Sequence, residues 1–386
     1  MIIGILEIMP SGHLTLVESI AEIFSSDENN QVYIFINAAG LKAAAPVFKD
    51  KANVHLIARK EDESLQSLFQ RVNAINPDRI YITTLEKWFK EFYLFNFKGQ
   101  INLIIHNVDV WSRFDLVYNF KNFLYGVLKS NIVYNFKKYL IYPYWRKRLL
   151  EKVLSSGGKL VVLSKVIKEE LSHFVREDKL EVIPFSVFNE KTVDNSGNNG
   201  LLRICIPGMV SAVRRDYYSV FDALESEPDF FRDKVELVLL GKVLANEDGE
   251  QVIKRADELI SRGLRVTYFN QGFIPFDEFE DQFSRSDIVL GNMNVYLEKF
   301  NSVYGKTKET GFTFTMIRFA KPGICISGYN LMDELKSSVL FYANSGELKS
   351  IIKDLILKEG MLTELKSEAR KNSLLFTPEA IYKQLK

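Results

Sequence analysis

Residues 202–224 read LRICIPGMVSAVRRDYYSVFDAL. A short apolar run closes on Pro207 and Gly208, a loop carrying Ser211, Arg214 and Arg215 follows, and YYSVFDAL continues at helical spacing. A strand that passes through a glycine turn into a helix is the opening of a βαβ unit. Gly208 permits a tight strand-to-helix turn, and Ser211 is placed to cap the helix. Arg214 and Arg215 add two fixed positive charges where a helix N-terminus already favours anions. A diphosphate suits such a loop. The alternative is a solvated cluster in which the arginines pair with Asp216.

Working outward, the same alternation of apolar runs and helical stretches fills the chain. Before this stretch lie IIGILEI at the start, QVYIFIN from Gln31, VHLIA from Val54, RIYIT from Arg79, INLIIH from Ile101, KLVVLS from Lys159 and LEVIPF from Leu180. After it come VELVLLG from Val235, RVTYFN from Arg265, DIVLGN from Asp287, PGICIS from Pro322 and VLFYAN from Val339. This is the pattern of α/β proteins with parallel sheets. Between the two series, residues 189–200 read NEKTVDNSGNNG, polar and rich in Asn and Gly, as a linker does. The reading is therefore two doubly wound, Rossmann-like domains facing a central cleft. Residues 1–188 form the first domain, 189–200 the linker and 201–372 the second. Residues 373–386 make a final helix, with Pro378 at its first turn, placed to cross back to the first domain.

Composition excludes several classes. With 386 residues, 47% of them hydrophobic and 26% charged, the chain is neither disordered nor a small disulfide scaffold. Cys205 and Cys325 each sit in an apolar run, as buried strand residues of a reducing compartment do. The first strand lacks a basic flank and contains Glu7, which makes it a poor signal peptide, and no run is long enough to span a bilayer. The expectation is a cytoplasmic protein, soluble or peripheral at the inner face of the cell membrane. There is no Asp-x-Asp, no zinc spacing, no G-x-G-x-x-G and no Walker lysine loop. Metal-dependent single-domain transferases, dehydrogenases and nucleoside triphosphatases are thereby disfavoured.

Taken in order, PSGHL after the first strand, IIHNVDVW, VVLSKVIKEEL, VIPFSVFN, IPGMVSAVRRDY, LVLLGK and YGKTKETGFTFTMIRFAKPGICIS span nearly the whole chain. Together they resemble bacterial GT-B glycosyltransferases of the family 4, or group 1, type. That resemblance implies a nucleotide diphosphate sugar bound mainly by the second domain and an acceptor bound by the first. It implies a metal-independent transfer to a hydroxyl of a glycan or polyprenyl-linked acceptor, in cell-surface polysaccharide or glycoconjugate synthesis, with no separate cofactor. A non-catalytic subunit that binds sugar nucleotide or glycan is the alternative.

The donor group implied is Gly208, Ser211, Arg214 and Arg215 with Lys308, Glu309, Thr310 and Gly311, an arginine lying on the pyrophosphate and Glu309 on a sugar or ribose hydroxyl. Retaining members of the family carry two glutamates eight positions apart here. This chain has Ile317 eight positions after Glu309, and alignment on Pro322 puts Thr307 and Thr315 at the glutamate positions. In the first domain Ser11, Gly12, His106 and Asn107 fall where the family approaches sugar and acceptor. His13 is the candidate base, given a carboxylate to orient it, and Asp109 competes with it. His55 and His173 have no assigned chemistry.

The formal net charge of +1 conceals one uneven segment. From Arg113 to Lys152 nine Lys and Arg stand against Asp115 and Glu151, a net of +7, and eleven aromatic residues are interleaved with them. Basic and aromatic residues together suit an anionic membrane surface, each basic residue contributing on the order of 1 kcal/mol there. The alternative is that the aromatics belong to the first domain's core. No RNA motif accompanies the segment, so nucleic acid is not an expected partner.

Overall fold

The computed structural model describes residues 1–9, 13–112, 124, 132–190, 200–270, 272, 274–298 and 301–386. The chain divides into two compact units. Met1–Phe185 with Ile381–Lys386 form the first, and Ser186–Ala380 the second. The linker stretch 191–199 lies outside the described residues.

Unit 1 is built on a seven-stranded parallel sheet. Its strands are β1 (Ile2–Glu7), β2 (Gln31–Ile36), β3 (Val54–Ala58), β4 (Arg79–Ile82), β5 (Gln100–Ile104), β6 (Lys159–Val162) and β7 (Leu180–Val182). They lie in the order β3-β2-β1-β4-β5-β6-β7, with Ile5 registered against Ile34 on one side and Tyr81 on the other. Each strand is one of the seven apolar runs in the first half of the sequence. They read as continuous apolar runs because helices cover a parallel sheet on both faces. One of its cores gathers Leu6, Phe35, Phe69, Ile80, Phe92, Leu103, Leu149 and Val162. The connecting helices start where the sequence offers an oxygen. Asn37, Ser64 and Ser164 accept from the backbone N–H groups of Gly40, Ser67 and Ile167.

The described part of the basic aromatic segment is helical. Ile132–Phe136 runs through a π-helical stretch, Lys137–Ile141, into Tyr142–Ser155. Its C-terminal half is fastened to the unit. Tyr142 and Trp145 pack edge-on or tilted against Phe89 and Tyr93, with ring centroids 5.6 Å apart in both pairs. Arg146 is buried over Trp111, and that burial lowers its pKa to about 10. Lys152 Nζ donates to the carbonyls of Tyr93 (2.6 Å) and Phe95 (2.7 Å), which end the helix Phe89–Leu94. The N-terminal part is different. Ile132, Val133, Tyr134, Phe136 and Ile141 are exposed beside exposed Lys137 and Lys138.

Unit 2 carries a six-stranded parallel sheet of β8 (Leu202–Pro207), β9 (Val235–Leu240), β10 (Arg265–Tyr268), β11 (Ile288–Gly291), β14 (Gly323–Ile326) and β15 (Val339–Tyr342), in the order β10-β9-β8-β11-β14-β15. These are the six runs of the second series. Between β11 and β14 a short antiparallel pair, β12 (Tyr296–Leu297) and β13 (Ser302–Val303), projects from the sheet's end. It was not among the expected elements. Cys205 and Cys325 are free, buried thiols on β8 and β14. Among the described residues no helix is long and apolar enough to cross a membrane.

Candidate functional site

In a parallel sheet all strand C-termini lie on one edge, and the loops there diverge where the strand order reverses, leaving a crevice. In unit 1 that point falls between β1 and β4, and in unit 2 between β8 and β11.

At the unit 2 switch point the chain leaves β8 through Gly208, whose φ of +92° only glycine adopts at little cost. A Cβ there would stand 2.6 Å from Arg215 Nη2. Arg215 is buried beneath this turn, with its guanidinium donating to the Pro207 carbonyl. Ser211 does not cap the following helix, contrary to expectation. That helix is Tyr217–Glu225, and Asp216 caps it by accepting from Ser219 N at 3.0 Å. Asp216 immediately precedes the first helical residue, whereas Ser211 is five positions too early to reach the orphan N–H groups. The Ser211 hydroxyl is instead buried and donates to Glu247 Oε2 at 2.7 Å, and Ser211 Oγ accepts from Arg214 N at 3.3 Å. The same Glu247 pairs with Arg214 at two points, Nε to Oε2 at 2.7 Å and Nη2 to Oε1 at 3.0 Å.

The loop 211–216 is fastened across the switch point to the loop after β11. Asp216 N donates to Asn292 O (2.8 Å), Asn294 N to Arg214 O (2.9 Å), and the Asn294 side-chain amide to the carbonyls of Ala212 and Val213 (both 3.1 Å). From there Tyr304 N donates to Val295 O at 2.9 Å, and the Tyr304 side chain lies against Arg214. The Glu247 and Tyr304 contacts together raise the Arg214 pKa, so its charge is fixed. Two motifs about ninety residues apart in sequence thus form one basic surface.

Residues 304–311 then deliver a helix N-terminus to that surface. Gly305, with φ of +72°, turns the chain against the Asn330 backbone, and Lys308 Nζ sits 5.9 Å over the Tyr304 ring. Thr310 caps Gly311–Phe319 through Phe312 N at 3.2 Å, and a Cβ on Gly311 would meet open space. Glu309 is buried and accepts from the Tyr329 hydroxyl at 2.7 Å, which also meets Thr313 Oγ1 at 2.6 Å. Burial and the adjacent carboxylate push the Tyr329 hydroxyl far up. Thr307 and Thr315 satisfy backbone atoms, at Val303 and Gly311 respectively.

At the unit 1 switch point Ser11 and Gly12 lie outside the described residues. His13 and His106 come together from the ends of β1 and β5, with ring centroids 4.7 Å apart and the Phe185 ring edge-on to His13 at 5.4 Å. Asn107 caps the short helix Val108–Ser112 by accepting from Val110 N at 3.2 Å, and Asp109 lies in its first turn. The carboxylate hydrogen-bonded to the His13 backbone is a residue the sequence reading used only against a signal peptide. Glu7 Oε2 accepts from His13 N at 3.3 Å. Glu7 and Glu247 are among the site residues that sequence reasoning missed. Glu7 carried one signal, a lone carboxylate at the C-terminal end of an otherwise apolar strand.

These two units, each a parallel sheet wrapped by helices, define the Rossmann-like pair of the GT-B fold. HepE of Anabaena, solved with UDP, superposes with a TM-score of 0.63 at 14% identity, over 100% of this chain and 98% of that one. A UDP-GlcNAc 2-epimerase from Neisseria meningitidis bound to UDP-GlcNAc gives 0.51 at 13% identity, with 100% and 98% covered. The glycotransferase of kitacinnamycin gives 0.52 at 10% identity, with 100% and 97% covered. No family model and no curated protein matches this chain by sequence.

Proposed function

We propose that the protein is a glycosyltransferase of the family 4 type, moving a sugar from a nucleotide diphosphate donor to a hydroxyl of a glycan or lipid-linked acceptor without a metal. The observation that carries this reading is the junction of Arg214 with Tyr304, which brings the basic loop after β8 and the capped helix at Gly311 to one sheet edge. A leaving diphosphate needs fixed positive charge and aligned N–H donors, and this edge offers both. Arg214 serves the diphosphate directly, and buried Arg215 adds its field from beneath the turn. Lys308 and Glu309 serve the ribose or sugar. In unit 1 His13, or Asp109 in competition, accepts the acceptor's proton beside His106 and Asn107. The solved neighbours bound to UDP or UDP-GlcNAc make uracil the first base to test.

Thermal unfolding against a panel of nucleoside diphosphates and their sugars tests the donor site, since a ligand selective for the native state raises the melting temperature. A rise with one nucleotide that is lost in Arg214→Ala supports the site, and a flat response to the whole panel sinks it. Product analysis then separates reaction classes. A transferase leaves free nucleoside diphosphate and a lengthened acceptor, an epimerase returns an isomeric nucleotide sugar, and a binding subunit returns the donor intact.

The acceptor's setting is proposed from the exposed face at Ile132–Ile141. Apolar Ile132, Val133, Tyr134 and Phe136 stand beside Lys137 and Lys138, with exposed Tyr144, Lys147 and Arg148 further along. Such a face fits the headgroup region of an anionic membrane at the cytoplasmic side. Four exposed cations add about 4 kcal/mol of attraction at such a surface. Sedimentation with phosphatidylglycerol vesicles, compared with neutral phosphatidylcholine vesicles, checks this. Equal binding to both, or to neither, overturns it.

A further inference from the structure

Glu7 is the only charged residue of β1 and is 1% exposed. Burying a carboxylate is costly unless hydrogen bonds replace its water. Four do so. Met9 N donates to Oε1 at 3.2 Å, and His13 N (3.3 Å), Thr83 Oγ1 (2.8 Å) and Thr84 Oγ1 (2.7 Å) all donate to Oε2. Burial raises the Glu7 pKa, and these bonds pull it partly back. Three of these bonds crowd onto Oε2 and the fourth holds Oε1 to Met9 N, so both oxygens are committed to holding the chain.

Its partners instead join both histidines. Met9 and His13 both follow β1, and Glu7 holds the backbone of each. Thr83, whose hydroxyl reaches Glu7, offers its carbonyl to His106 Nε2 at 2.7 Å. A carbonyl only accepts, so Nε2 carries a proton, which fixes the tautomer of the ring whenever it is neutral. One carboxylate therefore sets the backbone of His13 and, through Thr83, the orientation and tautomer of His106, whose rings meet at 4.7 Å.

We infer that Glu7 is a positioning residue: its buried carboxylate fixes the end of β1 to the end of β4 so that the His13 and His106 imidazoles meet in one geometry. The catalytic consequence rests on the glycosyltransferase reading above, and the geometric one does not. Glu7→Gln keeps the side chain's shape while removing the charge and one acceptor oxygen.

Two measurements test it. The first is NMR on the intact protein. The chain has four histidines, so substituting His55 and His173 assigns the ring signals. The wild type is expected to show a contact between the His13 and His106 rings. In Glu7→Gln that contact is lost, and exchange of the His13 amide accelerates by about tenfold or more, while amides of the β8 and β9 core keep their protection. An unchanged ring contact and unchanged exchange would overturn the inference. Should Glu7→Gln fail to fold, Thr84→Val removes one donor at nearly constant volume and is expected to give the same changes at smaller size. The second measurement is kinetic. Glu7→Gln is expected to lower kcat by about ten- to a hundredfold with the donor KM unchanged. Full kcat, or a loss confined to KM, contradicts the positioning role. If the wild type turns over no donor, the glycosyltransferase reading fails, and the NMR result still decides what Glu7 does.

Discussion

Arg214 and Glu247, 33 residues apart, meet in a two-point ion pair whose carboxylate also accepts from the Ser211 hydroxyl. The pair is asymmetric in exposure, with the arginine side chain 22% accessible and the glutamate 6%. Glu247 thus holds Arg214 in place and at the same time offsets its charge. A diphosphate arriving at the loop has to compete with that carboxylate. Glu247→Gln keeps the shape and removes the competition, so we expect it to tighten nucleoside diphosphate binding several-fold. Glu247→Ala removes the carboxylate from the half-buried arginine and is expected to destabilise unit 2 by about 1–3 kcal/mol, less than the full cost of breaking a fully buried pair. Titration calorimetry and thermal unfolding of both variants, beside Arg214→Ala, check these expectations.

Gly208 and Arg215 form the second dependence in this loop. Gly208→Ala would place a side chain at φ of +92° and a methyl carbon 2.6 Å from the Arg215 guanidinium. The left-handed backbone alone costs about 1 kcal/mol or more, and the displaced arginine loses its bond to the Pro207 carbonyl. We expect a melting temperature several degrees lower and weaker diphosphate binding. Alanine tolerated at this position without loss of either property would show that Arg215 does not need the space.

The strands were legible and the site only half so, for physical reasons. A parallel strand buried on both faces announces itself as an unbroken apolar run, and all thirteen main-sheet strands, six or seven per unit, did so. The two-residue strands Tyr296–Leu297 and Ser302–Val303 are too short to show any period. Arg214 and His13 could be nominated from the sequence because each follows a strand end, and Thr310 because it precedes an apolar helix. Glu247 was not, since an acid within NEDGE reads as a solvated surface turn and only the fold brings it to Arg214. Glu7 was hidden for the opposite reason. Its partners Thr83 and Thr84 lie 76 and 77 residues away, so nothing local explains a carboxylate in an apolar strand. The Ser211 expectation failed because Asp216, a better cap, stands next to the helix.

Lys152 illustrates how a charge counted toward a membrane surface can belong to the fold. Its ammonium donates to two carbonyls at the end of Phe89–Leu94, and burial lowers its pKa. Lys152→Met keeps the apolar stem and leaves those carbonyls without this donor. The expected loss is about 1–3 kcal/mol in chemical denaturation, with vesicle binding unchanged. Lys137→Glu with Lys138→Glu should behave in the reverse way, sparing stability and reducing binding to anionic vesicles.

The chain's last residues make unit 1 sensitive to acid. Asp27 is held at about 2, below its ordinary 3.8, by the Asn29 backbone N–H first, then by the Asn29 side chain and by Lys386, with the Tyr382 hydroxyl as a smaller contributor. Because the folded value is depressed, the carboxylate's contribution is complete above the unfolded value and is lost as pH falls from about 4 to 2. Tyr382 keeps its other bond, from the Asn30 side-chain amide at 2.8 Å, across the whole range. Protonation should therefore loosen the helix end Ile381–Lys386 before it unfolds the sheet. Hydrogen exchange followed from pH 5 to 2 is expected to show amides 381–386 losing protection ahead of the β1 and β4 amides, once intrinsic rates are corrected for. In Asp27→Asn those amides should be equally weak throughout that range, and a variant that kept the wild-type pH profile would place the sensitivity elsewhere.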